Sequence, residues 1–166
     1  AVRRWREKEG PAPKGVITVN TTFRAALWAD AVFAIDAKWW ERYLPEVERD
    51  FIGATYSCND FHGRVGLVPK PFKAFGNSGA GAVAMAAKAG ASRVILLGYD
   101  CQFTGGQAHH HGDHPPGLGN AGSLDKWPDQ FKRLAASLEG VEVINCTRQT
   151  ALRAFPRMAL EDALCL

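Results

Sequence analysis

Arg93-Val94-Ile95-Leu96-Leu97-Gly98-Tyr99-Asp100 is the stretch on which the fold turns. Four branched apolar residues in succession read as a parallel strand buried on both faces, since alternation would mark a strand with one wet face. Gly98 then breaks the run, and Asp100 is delivered to the carboxyl end of the strand, the edge of an open α/β sheet at which ligands bind. From Gly98 to Pro116 the chain is rich in glycine, aspartate and histidine, and four of the five histidines fall inside it. Chemistry, if the protein performs any, belongs here.

Working outward, the same rhythm repeats. Gly15–Val19 reads as a strand leading to Asn20, and Ala31–Ile35 as another ending at Asp36. Lys38–Asp50 follows as an amphipathic helix carrying Trp39, Trp40, Tyr43, Leu44 and Val47. Phe51–Phe75 is expected to hold short strands and turns, because Pro69 and Pro71 interrupt anything longer. Ser78–Ala89 reads as a helix of small residues, suited to lying close against a sheet. A helix over about Asp129–Leu138, a strand over Val141–Asn145 and a closing helix over Leu160–Leu164 complete the pattern. Strands alternating with helices predict a parallel sheet covered on both faces. The chain itself opens in a helix, Ala1–Glu9, whereas βαβ folds commonly open with a strand. Either this fold starts so, or an N-terminal strand and its loop are absent.

Composition narrows the class. The length of 166 residues suits one domain, residues 1–166, and 46% apolar with 22% charged residues is ordinary for a globular chain. A net charge of only +3, with the basic residues spread out, gives no nucleic-acid stripe. The cluster Arg3, Arg4, Arg6 and Lys8 is interrupted by Glu7 and reads as a solvated helix face. No apolar run reaches the roughly 18 residues of a membrane span. Cys58, Cys101, Cys146 and Cys165 form no CxxC pair and read as reduced, mostly buried thiols of a cytosolic protein.

Parallel strands point their carboxyl ends one way, so Asn20, Asp36 and Asp100 are expected on one edge. Amide and carboxylate groups there can hold a ribose or base, or can simply cap the elements that follow. Gly76-Asn77-Ser78-Gly79-Ala80-Gly81 opens the small-residue helix, and its backbone amides suit a phosphate or carboxylate. The spacing matches neither a Walker loop nor GxGxxG, and Ser78 serves equally well as an N-cap. His109, His110, His111, Asp113 and His114 read three ways: a general base, a metal site completed by Asp100, or a solvated tract. Arg148 is placed to meet a phosphate or to form a surface ion pair. His62 reads as a loop residue. Cys101 lacks a base and is a poor nucleophile.

The order of these motifs resembles a group of uncharacterised bacteriophage and prophage proteins. The residues that carry the likeness are Val19-Asn20, Asp36-Ala37-Lys38-Trp39-Trp40, Asn77-Ser78-Gly79, Leu97-Gly98-Tyr99-Asp100 and the tail Asn145–Pro156. That group is similar to motility-associated glycosyltransferase-like proteins, archaeal hydroxymethylpterin diphosphokinases and the small bacterial sialyltransferases that use a CMP-sugar. The resemblance implies a Rossmann-like three-layer α/β sandwich with a mostly parallel sheet. It also implies a nucleotide or nucleotide-sugar donor held by Asn20, Asp36, Asn77, Ser78, Gly79, Gly98 and Asp100. A histidine among His109, His111 and His114, with Asp113 beside them, would act as base. Such families open with a strand and a Gly-x-Gly-Pro-Ser loop around the phosphates, and this sequence has no such segment. The expectations are therefore a nucleotide-linked group transferase, glycosyl transfer foremost, or a non-catalytic phage assembly or host-interaction protein. A third is a metal-dependent hydrolase or phosphotransferase on the histidine loop. A bacterial host's cytoplasm, no membrane, a small-molecule ligand and a homo-oligomer fit these readings; a divalent metal is not required.

Overall fold

A computed structural model of the chain describes residues 1–8, 13–61, 63–103, 118 and 124–165. Its first half runs α1 (Val2–Glu7), β1 (Ile17–Val19), a 3-10 turn (Asn20–Ala25), β2 (Ala31–Phe33), α2 (Ala37–Asp50), β3 (Ala54–Ser57) and β4 (Gly66–Leu67). The second half runs α3 (Ser78–Lys88), β5 (Arg93–Leu96), α4 (Trp127–Ala135), β6 (Glu142–Asn145) and α5 (Leu160–Ala163). Every strand pair is parallel, with β1-β2-β3-β4 in that order and β5 beside β6.

Strand β2 shows why helices are needed on both faces. Its residues are all buried, and period-two alternation divides them. Val32 packs with Trp39, Trp40, Leu44 and Val47 of α2. Ala31 and Phe33 point the other way, against Ala82 and Met85 of α3. The β5–β6 pair repeats the scheme. Leu96 and Val143 meet Ala80 and Val83 of α3 and Phe131 and Leu134 of α4, whereas Ile144 meets Ala163 of α5. The result is a Rossmann-like α/β fold with a mostly parallel sheet, as the sequence pattern implied.

Local sequence explains the two central helices. On α2 the buried residues recur at helical spacing, so one stripe meets the sheet while the opposite side stays wet. Phe23 from the 3-10 turn closes that cluster, its ring edge-on to Trp39 at 6.2 Å. On α3 the small residues allow close approach. A Cβ on Gly81 would sit 2.5 Å from Cε1 of Phe33, so only glycine lets the helix lie this near β2. Helix α1 is fastened at the opposite end: Arg6 pairs with Asp30, and the same carboxylate accepts the Val16 N–H at 2.8 Å.

Three expectations are corrected. The strands are hydrogen-bonded as two ladders rather than one, with α3 packed on β1, β2 and β5. Strand β5 is not buried on both faces, since only Leu96 is fully buried and Leu97 is 42% exposed. Among the described residues its apolar run serves one strand neighbour and the helices, not a central place between two strands. Helix α4 begins at Trp127, with Pro128 in its first turn, and ends at Ala135. Among the cysteines, Cys101 and Cys146 are buried and Cys58 is half-buried, but Cys165 is exposed.

Candidate functional site

The first turn of α3 is where the strand ends meet. Ser78 is buried, and its Oγ accepts the N–H of Ile35, at the end of β2, at 3.2 Å. One residue on, the Gly79 carbonyl accepts the Tyr99 hydroxyl, beyond β5, at 3.2 Å. Asn59, beyond β3, donates its side-chain N–H to the Ile35 carbonyl at 2.9 Å. The carboxyl ends of β2 and β5 thus meet at one helix N-terminus, and that of β3 is joined to it through Ile35. Asp36 follows Ile35 and Asp100 follows Tyr99, so the two carboxylates are chain neighbours of the two contacts with that turn.

Each motif residue of the turn has a local task. Asn77 is the N-cap: its Oδ1 accepts the Ala80 N–H at 2.7 Å, and its Nδ2 donates to Oε1 of Gln130 on α4 at 2.6 Å. Ser78 is therefore the first helical residue, not the cap. Gly79 makes room for an aromatic ring, because a Cβ there would lie 2.9 Å from Cε1 of Tyr99. Gly98 has φ +72, a left-handed conformation that favours glycine and turns the chain out of β5.

The turn Gly98–Asp100 is held by the segment after β6. Thr147 Oγ1 accepts the Tyr99 N–H at 2.9 Å, and Thr150 donates its hydroxyl to the Tyr99 carbonyl at 2.6 Å. The Asp100 carbonyl accepts the Ala151 N–H at 2.8 Å. Asn145, fully buried, accepts the Thr147 N–H at 3.0 Å and fixes that segment in turn. These residues were legible only as a motif, Asn145–Thr150, and their work as a clamp was not. The Tyr99 ring stands edge-on to Phe131 at 5.8 Å, and burial pushes its phenol above the ordinary tyrosine range. Burial, with the Asp100 charge adding to it, pushes the Cys101 thiol up to about 12. Cys101 is a packed side chain rather than a nucleophile.

Asn20 and Asp36 differ from the turn residues. Asn20 has a left-handed backbone, φ +51, and its Oδ1 is buried with no hydrogen-bond partner among the described residues. Among the described residues the indole Nε1 of Trp39, in the first turn of α2, is also buried without a partner. Phe23 belongs to the same 3-10 turn as Asn20 and stands edge-on to Trp39. Asp36 stands at the N-cap position of α2, yet its exposed carboxylate makes no cap hydrogen bond. Capping does not explain it.

Arg148 is exposed; its carbonyl accepts from Arg157, and its own side chain forms no ion pair among the described residues. His62, His109, His110, His111, Asp113 and His114 lie outside the described residues. Leu118, four positions after His114 in the sequence, packs against the Phe23–Trp39–Trp40 cluster. Among the described residues, no three His, Cys, Asp or Glu side chains are grouped as a metal site requires, and no helix is long and apolar enough to cross a membrane. No protein-family model, curated protein or solved structure matches this chain.

Proposed function

We propose that the protein binds a nucleotide or nucleotide-sugar at the carboxyl edge of its strands and transfers the nucleotide-linked group, a glycosyl group foremost. What supports the reading is Asn20. A buried acceptor without a donor is unfavourable by roughly 1–3 kcal/mol, and a ligand that donates to it recovers that energy. Trp39 Nε1 is the complementary case, a donor without an acceptor. A base or ribose group that donates to Asn20 Oδ1 has to displace the side chains that shield this atom from bulk water.

In this scheme Asp36 and Asp100 hold ribose or sugar hydroxyls. The backbone at Ser78 and Gly79 faces the donor's negative charge, where the helix dipole stabilises it without a metal. Asn77, Ser78, Gly79 and Gly98 shape the site by fixing α3 and the Tyr99 turn. A histidine of the loop, His109, His111 or His114, with Asp113 nearby in sequence, removes the proton from the acceptor hydroxyl as the donor bond breaks. The reaction belongs in the cytoplasm of a bacterial host.

The engagement of Asn77 and Ser78 within the protein favours a second reading, a catalytically idle phage assembly or host-interaction protein on the same fold. A thermal-shift panel separates the two: CMP, UMP, GMP, AMP and their sugar-linked relatives, each with and without Mn²⁺, Mg²⁺ and Zn²⁺. A ligand that binds only the native state raises the melting temperature by mass action. A selective shift with one nucleotide is the expected result. A flat panel would leave the idle fold as the better reading, and a shift with metal alone would move the chemistry to the histidine loop.

A further inference from the structure

A separate cleft lies between the segment leading to α3 and helix α4. It has a volume of about 520 Å³ and is lined by Lys73, Ala74, Phe75, Arg133 and Ser137. The geometry follows from α4's period. Gln130 faces the same segment, its Nε2 donating to the Gly76 carbonyl at 3.4 Å, so Arg133 and Ser137, three and seven residues on, share that side. Phe75 packs partly into the α3–α4 core and offers an apolar wall.

The charge of the cleft is uncompensated. Its two ionisable side chains among the described residues are both cationic and come from different walls. Neither Lys73 nor Arg133 forms an ion pair among the described residues, a state they share with several other surface cations. Asp129, one turn back on α4, forms no ion pair with Arg133. The Ser137 hydroxyl donates to the Leu134 carbonyl at 2.7 Å, so it walls the cleft and donates nothing into it.

We propose that this cleft binds a phosphorylated small molecule, its dianion held between Lys73 and Arg133 and its apolar body laid against Phe75. Two cations from different walls of one cleft suit a dianion better than a single carboxylate, and the guanidinium fork matches phosphate oxygens in a way an ammonium does not. The volume exceeds what a bare phosphate fills, and because the cleft is open to solvent a bound ligand keeps part of its surface wet. The site uses none of Asn20, Asp36 or Asp100, so it stands or falls apart from the nucleotide reading.

Phenyl phosphate and inorganic phosphate, titrated separately and followed by amide NMR shifts, test it. The expected result is saturable shifts at residues 73–75 and 133–137, with phenyl phosphate binding about tenfold more tightly because of the ring contact. Lys73→Glu/Arg133→Glu should abolish those shifts while leaving the rest of the spectrum and the melting temperature unchanged, since both side chains are exposed. Arg133→Ala alone should weaken binding without reversing charge. Shifts that do not saturate, that map elsewhere, or that persist in the double variant would overturn the site. Equal affinity for the two probes would overturn the Phe75 contact.

Discussion

Asn77 and Gln130, 53 positions apart, are joined amide to amide at 2.6 Å, so the cap of α3 is also the tie between α3 and α4. The bond couples the helix beneath the candidate site to the helix that walls the basic cleft. Gln130 is buried, 8% exposed, and its other amide group is directed at Gly76.

Replacing Asn77 tests that coupling. Asn77→Ala removes the cap acceptor and leaves a buried amide without its partner, an expected loss of about 2 kcal/mol in urea unfolding. Asn77→Asp keeps the cap acceptor in a favourable place on the helix dipole, but Gln130 can donate to it only by giving up its bond to the Gly76 carbonyl, so its loss should be smaller than that of Asn77→Ala without vanishing. Equal losses in the two variants would show that the tie to Gln130, not the cap, dominates.

Asn20→Gly separates stability from binding. Glycine accepts the left-handed backbone at φ +51 and deletes the unpartnered oxygen. The variant should therefore be no less stable than the parent, yet lose about tenfold or more in nucleotide affinity, because the lost group is the one a base would satisfy. Calorimetric titration beside a thermal melt reads both. A variant that melts lower and binds equally well would place Asn20 in the fold and outside the site.

The thiols should react in the order of their exposure. Cys165 is exposed and should be alkylated first, Cys58 more slowly, and Cys101 and Cys146 only on unfolding. At about pH 8 a thiol raised to about 12 holds on the order of one part in ten thousand as thiolate. Mass spectrometry of iodoacetamide adducts, in native buffer and in urea, counts them. Rapid native labelling of Cys101 would contradict the burial described here.

Acid should loosen the join between α1 and the sheet. The Arg6 hydrogen bond, opposed by partial burial and helped by the Val16 N–H, holds the Asp30 carboxyl below its ordinary 3.8. The unfolded chain therefore takes up this proton first as pH falls. The stabilisation is complete above the unfolded value and disappears as pH drops through the folded one. The pair is about one-third exposed, so solvent screening keeps its contribution small. Asp30→Asn should be less stable than the parent at neutral pH, and the two stability curves should converge toward pH 3. Curves that stay parallel would assign the join to packing alone.

Most of the fold was legible in the sequence because its signals are local. Continuous apolar runs marked the strands, and Trp39, Trp40, Tyr43, Leu44 and Val47 marked the buried stripe of α2. Small residues marked α3 as a helix that lies close to a sheet, and parallel strand direction then followed from alternation with helices. The placing of Asn20, Asp36 and Asp100 at strand ends needed nothing more. What the tertiary structure alone decided are relations between distant residues: that Ser78 holds the end of β2, that Gly79 yields space to Tyr99, and that Thr147 and Thr150 clamp the turn before Asp100. It also decided that β5 has one strand neighbour among the described residues, which its apolar run could not reveal, because helices bury the same side chains as strands do. Hydrophobic periodicity is written residue by residue along the chain. Hydrogen-bond partners and unpartnered atoms such as Asn20 Oδ1 exist only once chain segments tens of residues apart are brought within three ångströms.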